Sequence, residues 1–217
     1  LGTAIGERRR RVGVAATDAR LMGGLDYQTM RSQQKWQILE DLGKQYEVVS
    51  VALDAPVVEK MDVLLVALPS SLTQPQLDHL LAYVKGGHPV LLFDDPFPAF
   101  NPQLAAADPR QPPRSMGGFM PPPPPEPKGN LAGFLAEIGL SFPVSTIVWD
   151  GYNPHPRFRG LPREVVFVGT GSGNPRAVNP DDPVSSGLQE LVFIFGGEVR
   201  PAPGVPVAFT PLVQTTS

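Results

Sequence analysis

Short apolar runs alternate with amphipathic helical patterns over the first part of the chain. Strands are predicted at Val12–Ala16, Val48–Leu53, Asp62–Leu68 and Pro89–Phe93, where apolar residues follow one another over the length of a strand. The run MDVLLVALP is apolar almost throughout, which is typical of a strand that is covered on both faces. We therefore expect these four strands to lie in one largely parallel sheet.

A loop and a helix are expected between the first two strands. The stretch DARLMGGLDYQTMRS is rich in glycine and polar residues and predicts a loop. Ser32 is then expected to cap a helix that runs to about Tyr46, with Trp36, Leu39 and Leu42 on its inward side.

The clearest helix follows the third strand. Thr73 and Gln76 form the T-x-x-Q pattern of a capping box, and the pair Gly86-Gly87 marks the end of the helix. Its predicted buried stripe has the spacing i, i+3, i+4, i+7 and consists of Leu77, Leu80, Leu81 and Val84. A strand-helix-strand unit of this kind forms a right-handed crossover between parallel strands, so the predicted fold class is a doubly wound α/β sheet.

The second half of the chain is richer in strand patterns. Asn130 is a good cap for the helix LAGFLAEI, which ends at Gly139. Four further strand candidates are VSTIVWD, REVVFVG, LVFIFGGEV and VPVAFTPLV. Several are too close together for helices between them, so antiparallel pairs are expected in the same sheet. We divide the chain into an α/β core at 1–95, an excursion at 96–129 and a β-rich continuation of the same domain at 130–217.

The excursion is dominated by proline. Twelve of the thirty-two residues in Pro96–Pro127 are prolines, and five of them are consecutive at Pro121–Pro125. Proline lacks an amide donor and favours the extended polyproline II conformation, which excludes a central strand or a helix here. We expect a long surface segment; a docking strip for a protein partner is the alternative.

Composition excludes several classes of function. The 217 residues carry a net charge of −3, which argues against nucleic acid as the main partner. The chain contains no cysteine, so disulfides, thiolate metal sites and cysteine nucleophiles are excluded. No apolar run reaches the length of a membrane span, and no signal peptide opens the chain. The basic run ERRRR is expected to be a solvated lead-in to the first strand, with a phosphate or lipid-headgroup contact as the alternative.

The motifs that suggest phosphate or metal binding do not match the residue patterns that such sites need. VGTGSGNP has Asn174 where the dinucleotide fingerprint needs glycine, and Pro175 follows with no helical pattern, so a turn is predicted. His79, His88 and His155 lack the spacing of metal ligands, so we expect no metal and no cofactor.

Polar residues follow two neighbouring strands of the predicted sheet. Ser70 and Ser71 come after the third strand, and Asp94 and Asp95 after the fourth. Ligands of open α/β sheets bind at the carboxyl ends of the strands, so these four residues are the candidate ligand site. The alternative is a simple strand end. Successive side chains of a strand point to opposite faces, so the two aspartates are not expected to act as an acid–base pair.

The stretch DVLLVALPSSLTQPQLDHLLAYVKGGHPVLLFDDP resembles the central motif of the auxiliary component of ABC-type transport systems linked to gliding motility (GldG-like). The matching features are an apolar strand that ends in Pro, a helix with a Tyr-Val pair, Gly-Gly, and a strand that closes on Asp-Pro. WQILEDLGKQYEVVSV, NLAGFLAEIGLSF, NPDDPVSSGLQELVFIFGGEV and FTPLVQTTS resemble further parts of the family in the same order. The proline-rich segment departs from the family pattern.

The resemblance implies a domain on the extracytoplasmic (periplasmic) face of a bacterial cytoplasmic membrane. It implies ABC permease and ATPase subunits as partners, and tethering by transmembrane segments absent from this chain, which would make the chain a soluble fragment. The implied fold is similar to the class I glutamine amidotransferase-like fold. Those enzymes need a nucleophilic cysteine, which is missing here, so amidotransferase activity is excluded.

Three hypotheses for function remain. The first is a non-catalytic accessory or binding domain of an ABC transport system. The second is a small-ligand-binding or hydrolytic α/β domain that uses the strand-end crevice at Ser70, Asp94 and Asp95. The third is a protein-interaction scaffold that uses the proline-rich segment.

Overall fold

A computed structural model of the chain describes residues 8–26, 31–110 and 124–216. These residues form two compact units, each continuous in space but assembled from two stretches of sequence. The first unit lies within Leu1–Asp94 and Pro109–Phe134, and the second within Asp95–Asp108 and Leu135–Ser217. That the predicted segments 1–95, 96–129 and 130–217 belong to one domain stays a prediction.

The first unit contains a four-stranded parallel sheet. In chain order its elements before residue 95 are β1 (Arg11–Ala15), β2 (Gly24–Asp26), β3 (Arg31–Gln33), α1 (Gln37–Gly43), β4 (Glu47–Val51), β5 (Val63–Ala67), α2 (Gln74–Lys85) and β6 (Val90–Phe93). The sheet has the order β4-β1-β5-β6, and its neighbouring strands are all parallel. Val12 lies opposite both Val48 and Val63. This arrangement confirms the predicted α/β class, whereas the likeness to the amidotransferase fold stays a prediction.

The two central strands carry much of the core of this unit. An added Cβ at Gly13 in β1 would lie 2.0 Å from Met61 Sδ and 3.0 Å from Val51 Cγ2, so a larger residue there would displace packed side chains. Buried apolar side chains come from the central strands and from both helices: Val12, Val14, Leu39, Leu64, Val66, Leu77 and Leu80. Removal of this apolar surface from water is the main stabilising term for the sheet.

The prediction for the first helix is wrong at its start. Ser32 lies in β3, which pairs antiparallel with β2, so the expected loop contains a two-stranded hairpin. This pairing places Ser32 opposite Leu25 and keeps it extended. The backbone N–H of Trp36 then donates to Leu21 O at 3.0 Å, and α1 begins only at Gln37.

Helix α2 has the predicted ends, but its buried stripe is rotated. Thr73 N donates to Gln76 Oε1 at 2.9 Å, and Gly87 has the left-handed φ of +79° expected after a helix end. Leu77, Leu80 and Tyr83 are buried on the helix, whereas Leu81 is only half-buried. Val84 is also only partly buried, so the prediction that Leu81 and Val84 belong to the buried stripe is wrong. The sequence did not indicate that Tyr83 is buried, because tyrosine also occurs at exposed positions.

The chain attaches to the turn between β5 and α2 on both sides of residues 111–123. Arg110 Nη2 donates to Ser71 O. Gly129 N donates to Leu72 O at 2.7 Å, and Asn130 N donates to Gln74 Oε1 at 2.8 Å. A Cβ at Gly129 would lie 2.8 Å from Gln74 N, so this close approach needs glycine. Of the predicted docking strip at Pro96–Pro127, residues 111–123 lie outside the described residues. In the part that belongs to the second unit, Pro98 and Ala105 are buried, so the prediction of a segment lying wholly on the surface is wrong there.

Helix α3 (Leu131–Glu137) links the two units along the chain. Asn130 Oδ1 accepts from Gly133 N at 2.9 Å, and Gly139 has a φ of +82° after the helix end, which confirms the predicted cap and end. The strands of the second unit are β7 (Leu140–Ser141), β8 (Val165–Gly169), β9 (Glu190–Ile194) and β10 (Arg200–Pro201).

The strands of the second unit form two separate antiparallel pairs. β8 pairs with β9 over five residues, and β7 pairs with β10. The expected antiparallel pairing is confirmed, but the expectation that these strands join the main sheet is wrong. VSTIVWD and VPVAFTPLV, although fully described, contain no assigned strand; Val213 forms only an isolated bridge with Val178. Pro206 and Pro211 lack the amide donor that a paired strand needs.

Candidate functional site

The carboxyl ends of β1, β5 and β6 meet at one edge of the parallel sheet in the first unit. After β5, Leu68 adopts a left-handed conformation (φ 54°, ψ 59°), and Pro69–Ser71 form a 3-10 turn. Leu68 N donates to Phe93 O at 2.7 Å, and Ser71 N donates to Leu68 O at 3.0 Å. Positive φ is uncommon for a residue other than glycine, so this turn is held by the contacts around it.

Ser70 and Asp94 bind each other at this edge. The amide of Ser70 donates to Asp94 Oδ2 at 2.7 Å, and its hydroxyl donates to Asp94 Oδ1 at 2.8 Å. Ser70 is 3% exposed, so both of its donors are satisfied away from water. Hydrogen bonds to a carboxylate are among the stronger ones in proteins, and this pair fixes the end of β6 against the turn after β5.

Ser71 connects the same turn to the end of β1. Its hydroxyl donates to Leu68 O at 2.8 Å and accepts from Asp18 N at 3.1 Å. Arg110 lies over this junction, where its Nε donates to Asp18 Oδ2 at 3.1 Å and its Nη2 donates to Ser71 O. Ser71 is buried, whereas the side chains of Asp18 and Arg110 are partly exposed.

Asp95 does not share the bonds that Asp94 forms with Ser70. Its Oδ1 accepts from Phe97 N at 2.9 Å, which is a local turn within the second unit. Burial raises the pKa of Asp95, and the hydrogen bond from the Phe97 amide offsets part of this rise. Among the predicted site residues, Ser70, Ser71 and Asp94 are thus brought together in one unit. Ligand contact by the four residues stays a prediction.

The hydrogen bonds of Ser70 and Ser71 at the sheet edge are suited to stabilising the fold. A serine nucleophile needs a neighbouring base that can take its proton, and histidine is the usual one. The hydroxyl of Ser70 instead donates to a carboxylate, which is a weak base, and that of Ser71 donates to a backbone carbonyl. Asp18 and Arg110 also have partly exposed side chains, so a carboxylate and a guanidinium are accessible at this edge.

Asp18 and Arg110 were missed by sequence reasoning. They are 92 residues apart, in a stretch predicted as a loop and in the proline-rich segment. No local spacing could connect them. The only available signal was the position of Asp18 just after the first strand, at the edge where ligands of α/β sheets bind.

The motifs considered for phosphate and metal chemistry have local structural roles. His79 Nδ1 lies 2.8 Å from Leu53 O, His88 stacks on Tyr83 at 4.5 Å, and His155 Nε2 lies 2.8 Å from Glu190 Oε1. Within the described residues, no group of three or more potential ligands could hold a metal ion. The stretch VGTGSGNP ends β8 and forms the predicted turn.

The basic run before β1 is partly structural. Arg11, its last residue, belongs to β1 and forms ion pairs with Glu47 at 3.2 Å and Glu59 at 3.0 Å. Residues 8–10 are exposed, as expected for a solvated lead-in, and Glu7 lies outside the described residues.

A second polar cluster lies in the second unit around Asp150. This buried carboxylate accepts from Thr216 N at 2.8 Å, from Thr216 Oγ1 at 2.7 Å and from Tyr152 N at 2.8 Å. Burial acts to raise the pKa of Asp150, but these hydrogen bonds together hold it below its ordinary value. The cluster clamps the segment around Thr216 onto the unit, and local sequence patterns gave no sign of it.

Replacing Asp150 by Asn tests this clamp. The stabilisation by the ionised carboxylate is present above the unfolded pKa of about 3.9, and it is lost as the pH falls through the lower folded pKa. We expect Asp150→Asn to lower the free energy of unfolding of the second unit at pH 7 by about 1–3 kcal/mol. Urea melts at a series of pH values, followed by Trp149 emission in a Trp36→Phe background, measure it.

The pH dependence separates the clamp from a general effect on packing. Stability of the parent should fall more steeply than that of Asp150→Asn as the pH drops below the unfolded pKa. Asp181→Asn, an exposed carboxylate in the same unit, serves as the control and should keep the slope of the parent. Equal slopes for the parent and Asp150→Asn would show that the carboxylate does not act through its charge.

Comparison with known protein families identifies the family of this chain. A family model described as an ABC-type uncharacterized transport system matches residues 9–217, which is nearly the whole chain. No curated protein matches the sequence. Among the helices in the described part of the chain, none combines the length and apolar character needed to cross a bilayer.

Proposed function

We propose that this chain is a non-catalytic accessory domain of an ABC transport system. The proposal starts from its family, because the chain belongs to the family described as an ABC-type uncharacterized transport system. The match over residues 9–217 is the observation that carries the proposal, because it includes both compact units. The geometry of the sheet edge supports a non-catalytic role, since Ser70 and Asp94 are bonded to each other and Ser71 to the backbone.

We place this domain on the extracytoplasmic face of the bacterial cytoplasmic membrane, in contact with the permease and ATPase subunits of the transporter. The resemblance to the gliding-motility (GldG-like) components supports this placement. Anchoring would be provided by membrane segments absent from this chain. The domain would act by binding other subunits or the transported substrate.

Ligand binding at the strand ends is our second candidate function. The observation that favours it is the partly exposed Asp18–Arg110 pair, which lies directly over buried Ser71. A small polar molecule could bind these two charged groups, and Ser70, Ser71 and Asp94 of the same unit would shape the edge behind them. The proline-rich segment as a docking strip for a protein partner is a further proposal.

Affinity capture of the protein from its native membrane tests the accessory role. After chemical crosslinking in intact cells, we expect permease and ATPase subunits of one ABC transporter to be enriched over a tagged, unrelated membrane protein. A complex without any transporter subunit would contradict the proposal.

The proposed location has its own test, which uses the absence of cysteine from the chain. Val58 is 90% exposed, so Val58→Cys introduces one accessible thiol. A membrane-impermeant maleimide should label this variant in intact spheroplasts, and lysis should not increase the labelling. The buried Ser185→Cys is the control and should stay unlabelled. Labelling of Val58→Cys only after lysis would place the domain in the cytoplasm.

A further inference from the structure

The segment of residues 151–163 in the second unit, which we call the arginine loop, combines cations with exposed apolar side chains. It has the sequence GYNPHPRFRGLPR, which contains three arginines and no carboxylate. Its last eight residues, 156–163, are all exposed. The exposed stretch therefore presents basic and apolar side chains side by side.

The arginine loop has a defined shape. Asn153 Nδ2 donates to Phe158 O at 3.0 Å, and the backbone N–H of Asp150 donates to Arg163 O at 3.1 Å, which closes the loop at its base. The ring of His155 packs at 5.6 Å from that of Phe158 and at 5.4 Å from that of Phe167 in β8. The loop is therefore fixed to the unit by side chains while its outer residues remain in water.

Three apolar side chains are held in water at this loop. Trp149, Phe158 and Leu161 are 55%, 50% and 42% exposed. Arg163 lies over the ring of Trp149 at 5.6 Å, which places a cation against an exposed aromatic face. Exposed aromatic residues next to arginines are typical of surfaces that bind a partner with both apolar and anionic groups.

Glu190 contacts the loop through His155, at 2.8 Å from its Nε2, but the three arginines have no such partner among the described residues. Within the part of the chain that the structure describes, no carboxylate lies within ion-pair distance of Arg157, Arg159 or Arg163. The neighbouring Asp150 is buried and bonded to Thr216. The arginines are thus free to bind external anions.

We propose that the arginine loop binds the surface of an anionic lipid bilayer. The guanidinium groups of Arg157, Arg159 and Arg163 would contact lipid phosphates, and the side chains of Trp149, Phe158 and Leu161 would enter the boundary between headgroups and acyl chains. Tryptophan is enriched at this depth because its ring is apolar and its N–H is polar. The inference rests on the loop alone and holds whether or not the accessory role is correct.

A bilayer suits this loop better than a protein surface does. Protein interfaces bury about 800 Å² on each partner, and charged residues are depleted from their cores. Here arginines alternate with apolar residues over one short loop, and Arg163 lies against the ring of Trp149, so cations and apolar groups are mixed. At a membrane surface the arginines can stay at the depth of the lipid headgroups while the apolar side chains enter the acyl boundary below them.

Binding to vesicles of known composition tests the proposal. The chain has two tryptophans, so Trp149 becomes the only reporter in a Trp36→Phe background. Equimolar phosphatidylcholine and phosphatidylglycerol vesicles should shift Trp149 emission to shorter wavelength, whereas pure phosphatidylcholine vesicles should not. Because an arginine near an anionic surface contributes about fivefold in affinity, Arg157→Gln with Arg159→Gln should weaken binding by about 25-fold.

Matched variants decide whether the loop itself is responsible. Phe158→Ser with Leu161→Ser should weaken binding to anionic vesicles on the order of tenfold or more. The control is Arg176→Gln with Val184→Ser, which changes an exposed arginine and an exposed apolar residue elsewhere in the same unit and should leave binding unchanged. Absence of vesicle binding, or equal loss in the control, would overturn the proposal. Loop-dependent binding to polyglutamate but not to vesicles would identify an acidic protein surface instead.

Discussion

Replacing Leu80 by Ala is expected to lower the free energy of unfolding of the first unit by about 2–5 kcal/mol. Leu80 is fully buried on α2, the helix that leads from β5 to β6 in the parallel sheet. The substitution removes three carbon atoms from the core and leaves a cavity that the rigid sheet closes only in part. Urea melts followed by Trp36 emission in a Trp149→Phe background measure the change in the unit concerned.

The neighbouring Leu81 provides the matched control for this prediction. It has the same side chain on the same helix, but it is only half-buried. Leu81→Ala is therefore expected to cost on the order of 1 kcal/mol. If Leu81→Ala proved as destabilising as Leu80→Ala, the assignment of the buried face of α2 would be wrong.

The second large effect is expected at the sheet edge, where Asp94→Ala should destabilise the first unit by about 2–4 kcal/mol. The substitution leaves the amide and the hydroxyl of buried Ser70 without the carboxylate oxygens that accept from them at 2.7 and 2.8 Å. A buried donor without an acceptor costs more than an ordinary hydrogen bond contributes, because its contact with water is also lost. The same tryptophan-monitored melts measure it.

Two further variants distinguish this role from a general effect of changing an aspartate. Asp94→Asn keeps one oxygen that can accept from the Ser70 amide, so its cost should be about 1 kcal/mol. Asp95→Ala removes the turn bond that the Phe97 amide donates to Asp95 Oδ1 at 2.9 Å, and it should also cost about 1 kcal/mol. A value for Asp94→Ala as small as these would mean that Ser70 finds another acceptor. The double change to asparagine should accordingly leave the fold nearly intact.

The parallel sheet could be predicted from sequence because its signals are local. The run MDVLLVALP, the Thr73–Gln76 capping pattern and the Gly86-Gly87 pair lie within one stretch, and each acts on its immediate neighbours. Together they define a strand-helix-strand unit whose handedness is fixed by the twist of its strands. The order β4-β1-β5-β6, however, depends on contacts between distant segments.

The errors came from places where tertiary contacts override local preference. Ser32 is a good helix cap, but the pairing of β2 with β3 keeps it extended. At the candidate site, Ser70 and Asp94 were placed at the same edge because strand ends meet there. The Asp18–Arg110 pair joins residues 92 positions apart and could not be predicted from spacing. The two prolines in VPVAFTPLV did argue against a strand, because proline has no N–H to donate to a neighbouring strand.

The attachment of Arg110 and of Gly129 to the same turn has a consequence for protein engineering. Ser71 and Leu72 hold Arg110 and Gly129 close together. The entropic cost of closing a loop between two such fixed points depends only weakly on the number of residues in it. Each doubling of the length of such a loop costs roughly 0.6 kcal/mol in entropy. A foreign domain whose own termini lie near each other could therefore be grafted between residues 110 and 129 at little cost. The same tolerance would let this stretch diverge freely during evolution while the parallel sheet stays unchanged.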